Sequence, residues 1–133
     1  MASEPASNVP SDRKFTKDHE WAQTNGSAVK VGITAYAVEQ LGDITLLNLD
    51  VKVGDTVEAG KAFGTIESVK TLSDLYAPVS GKVKAVNGEL DSKPELVNAD
   101  CYSAWMVEIE TSADLAELLD ADAYADLVAK LDH

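Results

Sequence analysis

Lys70 lies in Glu67-Ser68-Val69-Lys70-Thr71, between two segments with strand character, Ala62 to Ser68 and Thr71 to Tyr76. A β hairpin would present its amine at a rigid tip, accessible to other macromolecules. That is what covalent attachment of an acyl-linked swinging cofactor requires: access to one enzyme for modification and to others for turnover. Val69 is an unusual neighbour for an ordinary turn, where Gly, Asn or Asp is expected. Glu67, Ser68 and Thr71 are polar groups that a modifying enzyme could read, and Glu67 carries its charge three residues before the lysine.

Other chemistries are less well supported by type and spacing. Ser68 and Lys70 could pair as nucleophile and base only if burial lowered the lysine pKa, and a convex turn offers no such burial. Their spacing is not Ser-x-x-Lys. His19-Glu20 begins like a zinc-binding His-Glu-x-x-His, but residue 23 is Gln. Cys101 is the lone cysteine, so it forms no internal disulfide, and His19 and the terminal His133 are its only potential histidine partners. It reads as a buried or idle thiol. No glycine-rich phosphate loop is present. These residues point to a carrier, not an enzyme.

The elements that would hold Lys70 in place are short. Glu20 to Thr24 and Ser27 to Ile33 flank Asn25-Gly26, a hairpin signal, and Val29, Val31 and Ile33 alternate. "TAYAVEQLG" has Thr34 as an N-cap and Gly42 as a stop, which predicts a short helix. Ile44 to Leu49 and Lys82 to Val86 are further strands, and Trp105, Val107 and Ile109 alternate in a last one. After Thr111, Leu115, Leu118 and Leu119, then Tyr124, Leu127, Val128 and Leu131, have helical spacing. They predict two amphipathic helices from about residue 112, with Asp120 or Asp122 capping the second. Residues 1 to about 13 read as a flexible tail, and 14–133 as one domain. The class is α+β, mostly β: a small barrel or sandwich of two sheets with helical additions.

The chain has 23 acidic residues against 11 Lys and Arg, a net charge of −12. This argues against nucleic acid as a partner and suits proteins with basic docking surfaces. No apolar run has the length of a membrane span, and no apolar signal core or Arg-rich presequence opens the chain. The expectation is a cytoplasmic, monomeric protein.

With those residues in view, the sequence resembles the glycine cleavage system H protein family from about Lys14 to Leu131. The shared stretches are "HEW" (His19 to Trp21), "VGITAYA" (Val31 to Ala37), "LGD" (Leu41 to Asp43), "VGDTV" (Val53 to Val57), "ESVKTLSDLYAPVSGKV" (Glu67 to Val83), "PELVN" (Pro94 to Asn98) and "DAYADLVAKL" (Asp122 to Leu131). The resemblance implies a lipoyl-domain-like fold of two facing sheets, with lipoic acid attached to Lys70 through an amide. It implies a lipoyl-attaching enzyme as partner. Glu67, by its position three residues before the lysine, is a candidate for recognition by that enzyme, the alternative being an exposed strand carboxylate with no role. It also implies three enzymes served by the loaded carrier. These are a pyridoxal-phosphate glycine decarboxylase, a tetrahydrofolate-dependent aminomethyltransferase and a dihydrolipoyl dehydrogenase that reoxidises the arm. A surface cleft to shelter the arm is part of the same expectation.

Lipoyl modules of 2-oxoacid dehydrogenases resemble the chain in part, but they usually have Asp where Val69 stands. Biotin carriers have Met on both sides of their lysine. A lipoyl or octanoyl relay is a further alternative. The chain departs from the family pattern at "LDVKVG" (Leu49 to Gly54), which lacks a proline. It also departs at "NADCYSAW" (Asn98 to Trp105), one residue short, with Cys101 where proline is usual and Ala104 where glycine is usual.

Overall fold

The computed structural model describes residues 10–111, 115 and 118–131. Nine strands and four helices follow in the order β1 Lys14–Phe15, β2 Glu20–Asn25, β3 Ala28–Ile33, α1 Ala35–Leu41, β4 Ile44–Leu49, β5 Thr56–Val57, β6 Ala62–Ser68, β7 Leu72–Tyr76, β8 Gly81–Val86, α2 Glu89–Ser92, α3 Glu95–Ala99, β9 Val107–Glu110 and α4 Ala121–Leu131. They form two antiparallel sheets, β1-β2-β3-β9-β8-β5 and β4-β6-β7. The expected mostly-β, two-sheet architecture is what the chain adopts.

Strand alternation places Val31, Ile109 and Val83 of the larger sheet in one buried cluster with Leu47, Ile66 and Leu75 of the smaller. A second cluster forms where α4 packs on β1 and β2, around Phe15, Trp21, Tyr124 and Val128. The Phe15 and Tyr124 rings stack with centroids 4.8 Å apart. Gly32 is required beside this cluster, because a Cβ there would lie 2.5 Å from the Trp21 ring.

The chain from β5 to β8 doubles back on itself. Thr56 pairs with Lys82, Ala62 with Tyr76 and Glu67 with Leu72. The register keeps partners nearly equidistant from residues 69–70, so Lys70 is at the apex of one long folded ribbon that contributes strands to both sheets.

Several local expectations are corrected. Asn25 pairs with Ala28, so the tight turn is Gly26-Ser27, one residue later than the Asn-Gly signal, with Gly26 at φ +68°. The last strand begins at Val107, after Trp105; Met106 N–H donates to the Val31 carbonyl at 2.7 Å just before it. After β8, Asn87 Nδ2 donates to the Trp105 carbonyl at 2.8 Å, and α2 follows. The first of the two C-terminal helices falls largely on residues outside the described ones. Leu119, expected on it, instead forms an antiparallel bridge with Phe15. The second is α4, and Asp120 is its cap, accepting from Ala123 N–H at 2.8 Å. Arg13 lies over the Trp21 ring and donates to the Tyr102 carbonyl.

Candidate functional site

Lys70 is exposed at the ribbon apex. The turn beneath it is built by Ser68. Its hydroxyl oxygen lies 3.2 Å from both the Lys70 and the Thr71 backbone N–H groups and accepts from each, while Ser68 N–H donates to the Thr71 carbonyl at 2.8 Å. A side-chain oxygen that replaces backbone partners in this way fixes a turn without glycine or asparagine. That explains how β-branched Val69 is accommodated, and it gives Ser68 a structural role.

The apex does not stand free, as a simple hairpin tip would. Val69 N–H donates to the Asp43 carbonyl at 3.0 Å. The Lys70 Cε is 3.4 Å from where a Cβ on Gly42 would lie, so the lysine stem passes over bare backbone. Gly42 is at φ +81°, ending α1, where glycine is favoured. Asn98, on α3, clamps the same loop: its Oδ1 accepts from Ile44 N–H at 2.9 Å and its Nδ2 donates to the Gly42 carbonyl at 3.0 Å. Two short helices thus position the lysine turn: α1, which its caps predict, and α3, which no sequence signal marks. Glu67 is half-buried on β6, and among the described residues its carboxylate has no hydrogen-bond or ion-pair partner.

Beside this loop opens a cleft of about 430 Å³, bounded by α1, the segment before β2, and strands β6 and β7. Its apolar wall includes Ile33, Leu41, Ile66 and Leu75; its polar wall includes Asp18, His19, Glu20 and Asp74. Leu41 lines the cleft and is the residue next to Gly42, so the foot of the lysine is at the cleft's edge.

Glu20 is the unusual member. It is only 2 % exposed. One carboxyl oxygen meets the Thr16 hydroxyl at 2.7 Å and the other accepts from Tyr76 N–H at 3.2 Å. Burial pushes its pKa up to about 8, a rise the two hydrogen bonds only partly oppose. His19 sits beside it at φ +70°. Its Nδ1 is 2.7 Å from the Tyr124 hydroxyl, which is also 2.7 Å from Thr34 Oγ1. Burial lowers the His19 pKa. The failed zinc pattern thus has another explanation: His19 holds a tyrosine, Glu20 lines a cleft, and Gln23 donates to Asp12 at 3.0 Å.

Cys101 is buried, and burial pushes its thiol up to about 11. Its carbonyl accepts from the Trp21 indole N–H at 3.1 Å, and the neighbouring Tyr102 hydroxyl accepts from Ala35 N–H at 3.1 Å. The shortened Asn98–Trp105 loop therefore packs on the face of α1 that carries Ala35, Val38 and Glu39, away from the cleft.

Comparison with known proteins agrees with this architecture. The family model for the glycine cleavage H-protein matches residues 13–131. The chain belongs to the glycine cleavage H-protein family. A glycine cleavage system H protein from Halalkalibacterium halodurans is 48 % identical over 127 residues, covering 93 % of this chain and 98 % of that one. Another, from Bordetella pertussis, is 50 % identical over 118 residues, covering 87 % and 94 %. The crystal structure of a glycine cleavage system H protein from Mycobacterium marinum superposes with a TM-score of 0.83 at 41 % identity, covering 91 % of this chain and 99 % of that one. The altered loop thus leaves the family fold intact.

Proposed function

We propose that this H-protein family member is the lipoyl-bearing, non-catalytic carrier of a glycine cleavage system, with Lys70 as the attachment residue. The observation that carries the reading is the exposed Lys70 amine at the apex of the ribbon, its stem over Gly42 and its foot at the edge of the cleft. A primary amine free of ion pairs among the described residues is the group that an amide-linked acyl arm needs. When bound, lipoic acid supplies a disulfide that accepts the aminomethyl group of glycine at the pyridoxal-phosphate decarboxylase, yields it to the tetrahydrofolate-dependent aminomethyltransferase and is restored by dihydrolipoyl dehydrogenase.

The chain's own residues supply anchorage and shelter. A lysine plus an eight-carbon acyl chain reaches on the order of 15 Å, from ordinary bond lengths. That is enough to enter the cleft from Lys70 or to extend into a partner enzyme. Ile33, Leu41, Ile66 and Leu75 would cover apolar methylenes, and exclusion of water would protect a labile cargo. Asp18, Glu20 and Asp74 suit a cargo ending in a cationic amine. Burial lets Glu20 keep its proton near neutral pH, and a cation beside it would favour the carboxylate. The same reading makes the carrier a cytoplasmic monomer. Among the described residues no helix is long and apolar enough to cross a membrane.

Two measurements test the proposal. Intact and peptide mass of protein from lipoate-replete cells should place one lipoyl group on Lys70, and Lys70→Arg should lose it. Loaded protein should support exchange of labelled bicarbonate into glycine with its own organism's decarboxylase, and unloaded protein should not. Loaded protein that fails in exchange but passes its acyl group to a 2-oxoacid dehydrogenase subunit would establish the relay alternative instead.

A further inference from the structure

The residues that α1 turns away from the cleft form a wall of their own. Ala35, Val38, Glu39 and Gly42 recur at the three- and four-residue spacing of one helix face, whereas Tyr36, Ala37, Gln40 and Leu41 face the cleft. Opposite this second face stand Ala99 of α3 and Tyr102, and the groove between them holds about 490 Å³, slightly more than the cleft. Ala35, Val38 and Tyr102 are half-buried and make an apolar floor, while Glu39, Asp43 and Asp100 are exposed on the rim. One end of the groove lies directly beneath the lysine turn. Val69 N–H donates to the Asp43 carbonyl, and the Lys70 Cε and Cδ lie 3.4 and 3.9 Å from where a Gly42 Cβ would be. Gly42 lines this groove and not the cleft. To reach the cleft the lysine stem must turn past Gly42 to Leu41, on the other face of α1.

We propose that this groove is where the acyl arm on Lys70 rests when it carries no cargo, so that the arm has two resting places, one on each face of α1. The cleft is then taken by the charged, loaded form. The inference rests on the carrier reading above and adds a site to it. Tethering identifies the occupant: the arm is held at the groove's mouth at a high effective concentration that no free ligand shares. Length agrees. From Gly42 to Ala35 the helix face runs about 10 Å at 1.5 Å per residue, and an arm reaching on the order of 15 Å spans it. So does chemistry, because an oxidised arm is apolar and uncharged. Ala35, Val38, Ala99 and Tyr102 can cover its methylenes and ring while the rim carboxylates stay in water. The cleft differs in holding Glu20 in its wall at only 2 % exposure, and a buried carboxyl favours a cationic adduct over a neutral one. Cys101 at the side of the groove completes the fit. A thiolate there would open the dithiolane by exchange, but burial pushes this thiol up to about 11 and keeps it protonated at neutral pH.

The test is NMR of isotopically labelled protein acylated to completion on Lys70, as checked by peptide mass. Three states of the lysine are compared: unmodified, octanoylated (the same eight-carbon chain without sulfur) and carrying the oxidised lipoyl group. Either acyl group should shift the amide signals of Val38, Glu39, Ala99 and Tyr102. Protons of the arm should give nuclear Overhauser contacts to the Ala35, Val38 and Ala99 methyls, and none to Ile66 or Leu75. Loading the lipoyl arm with the aminomethyl group, by decarboxylase and glycine, should abolish those contacts and create contacts to Ile66 and Leu75. Ala99→Trp fills the groove from an exposed position. It should abolish the Val38 contacts of the oxidised arm and keep the Ile66 and Leu75 contacts of the loaded one. An oxidised arm in contact with Ile66 and Leu75, or with neither groove, would overturn the proposal in wild type alone. So would a loaded arm that stays against Val38, or an Ala99→Trp protein that retains the Val38 contacts. Lipoylated protein that supports bicarbonate exchange without groove contacts would overturn this inference and leave the carrier reading standing. If the attaching enzyme never acylates Lys70, the carrier reading itself fails and this inference falls with it.

Discussion

Glu20 shows how one buried carboxyl can tie the cleft to pH. Its pKa rises from an ordinary 4.5 to about 8 on folding. Between those values the folded chain holds a proton that the unfolded chain has released. Stability contributed by this group is therefore present below about pH 4.5 and lost as pH rises toward 8. The slope is about 1.4 kcal/mol per pH unit at most within that window. Glu20→Gln should remove this slope: its Nε2 can donate to Thr16 Oγ1 while its Oε1 accepts from Tyr76 N–H, mimicking the protonated acid. Denaturant unfolding from pH 5 to pH 9 should show wild type losing stability relative to the variant. Parallel curves would mean that Glu20 does not titrate in the window. His19 acts in the opposite direction, because its lowered pKa costs stability as pH falls through 6.5.

At the scale of elements, α1 is the common wall of two grooves and is held at both ends. Thr34 caps its N-terminus, accepting from Ala37 N–H at 3.3 Å, and the Tyr124 hydroxyl joins that cap to His19. Gly42 and Asn98 fix its other end beneath Lys70. Helix α4 is thus coupled to the cleft through a single hydroxyl, one of the hydrogen bonds behind its packing on β1 and β2. Tyr124→Phe keeps the ring stacked on Phe15 but leaves His19 Nδ1 and Thr34 Oγ1 short of a partner. It should cost about 1–2 kcal/mol and lower Tm by several degrees in thermal unfolding. A Tm within a degree of wild type would show that water replaces the hydroxyl at no cost.

For the whole molecule, charge acts on folding and on association with opposite sign. A net charge of −12 on 133 residues repels itself, and salt relieves that repulsion. The same field draws in partners with basic surfaces, and salt weakens the attraction as the Debye length falls from about 30 Å at 0.01 M to about 8 Å at 0.15 M. Raising ionic strength across that range should therefore hold or raise Tm while lowering kcat/KM for acylation of Lys70 several-fold, chiefly through KM. An acylation rate indifferent to salt would show that encounter is not steered by charge.

The sequence alone determined what is local or periodic. Alternation and turn residues place most strands, and Thr34 and Gly42 bound α1 because caps act within one turn of the chain. Lys70 and its neighbours stood out because an apolar residue at a turn violates local preference. What only the tertiary structure decided involves residues far apart in the chain. Glu20 is 56 positions from the Tyr76 N–H it meets, and its burial depends on β6, β7 and α1 closing over it. Asn98 reaches back to Gly42 and Ile44 from a helix of five residues, too short to carry a periodic signal. Trp105 falls outside the last strand, and its carbonyl accepts instead from the Asn87 side chain, 18 positions away. Leu46, Glu67 and Leu72 lie in one row through pairing across three strands, a register set by which faces the core buries.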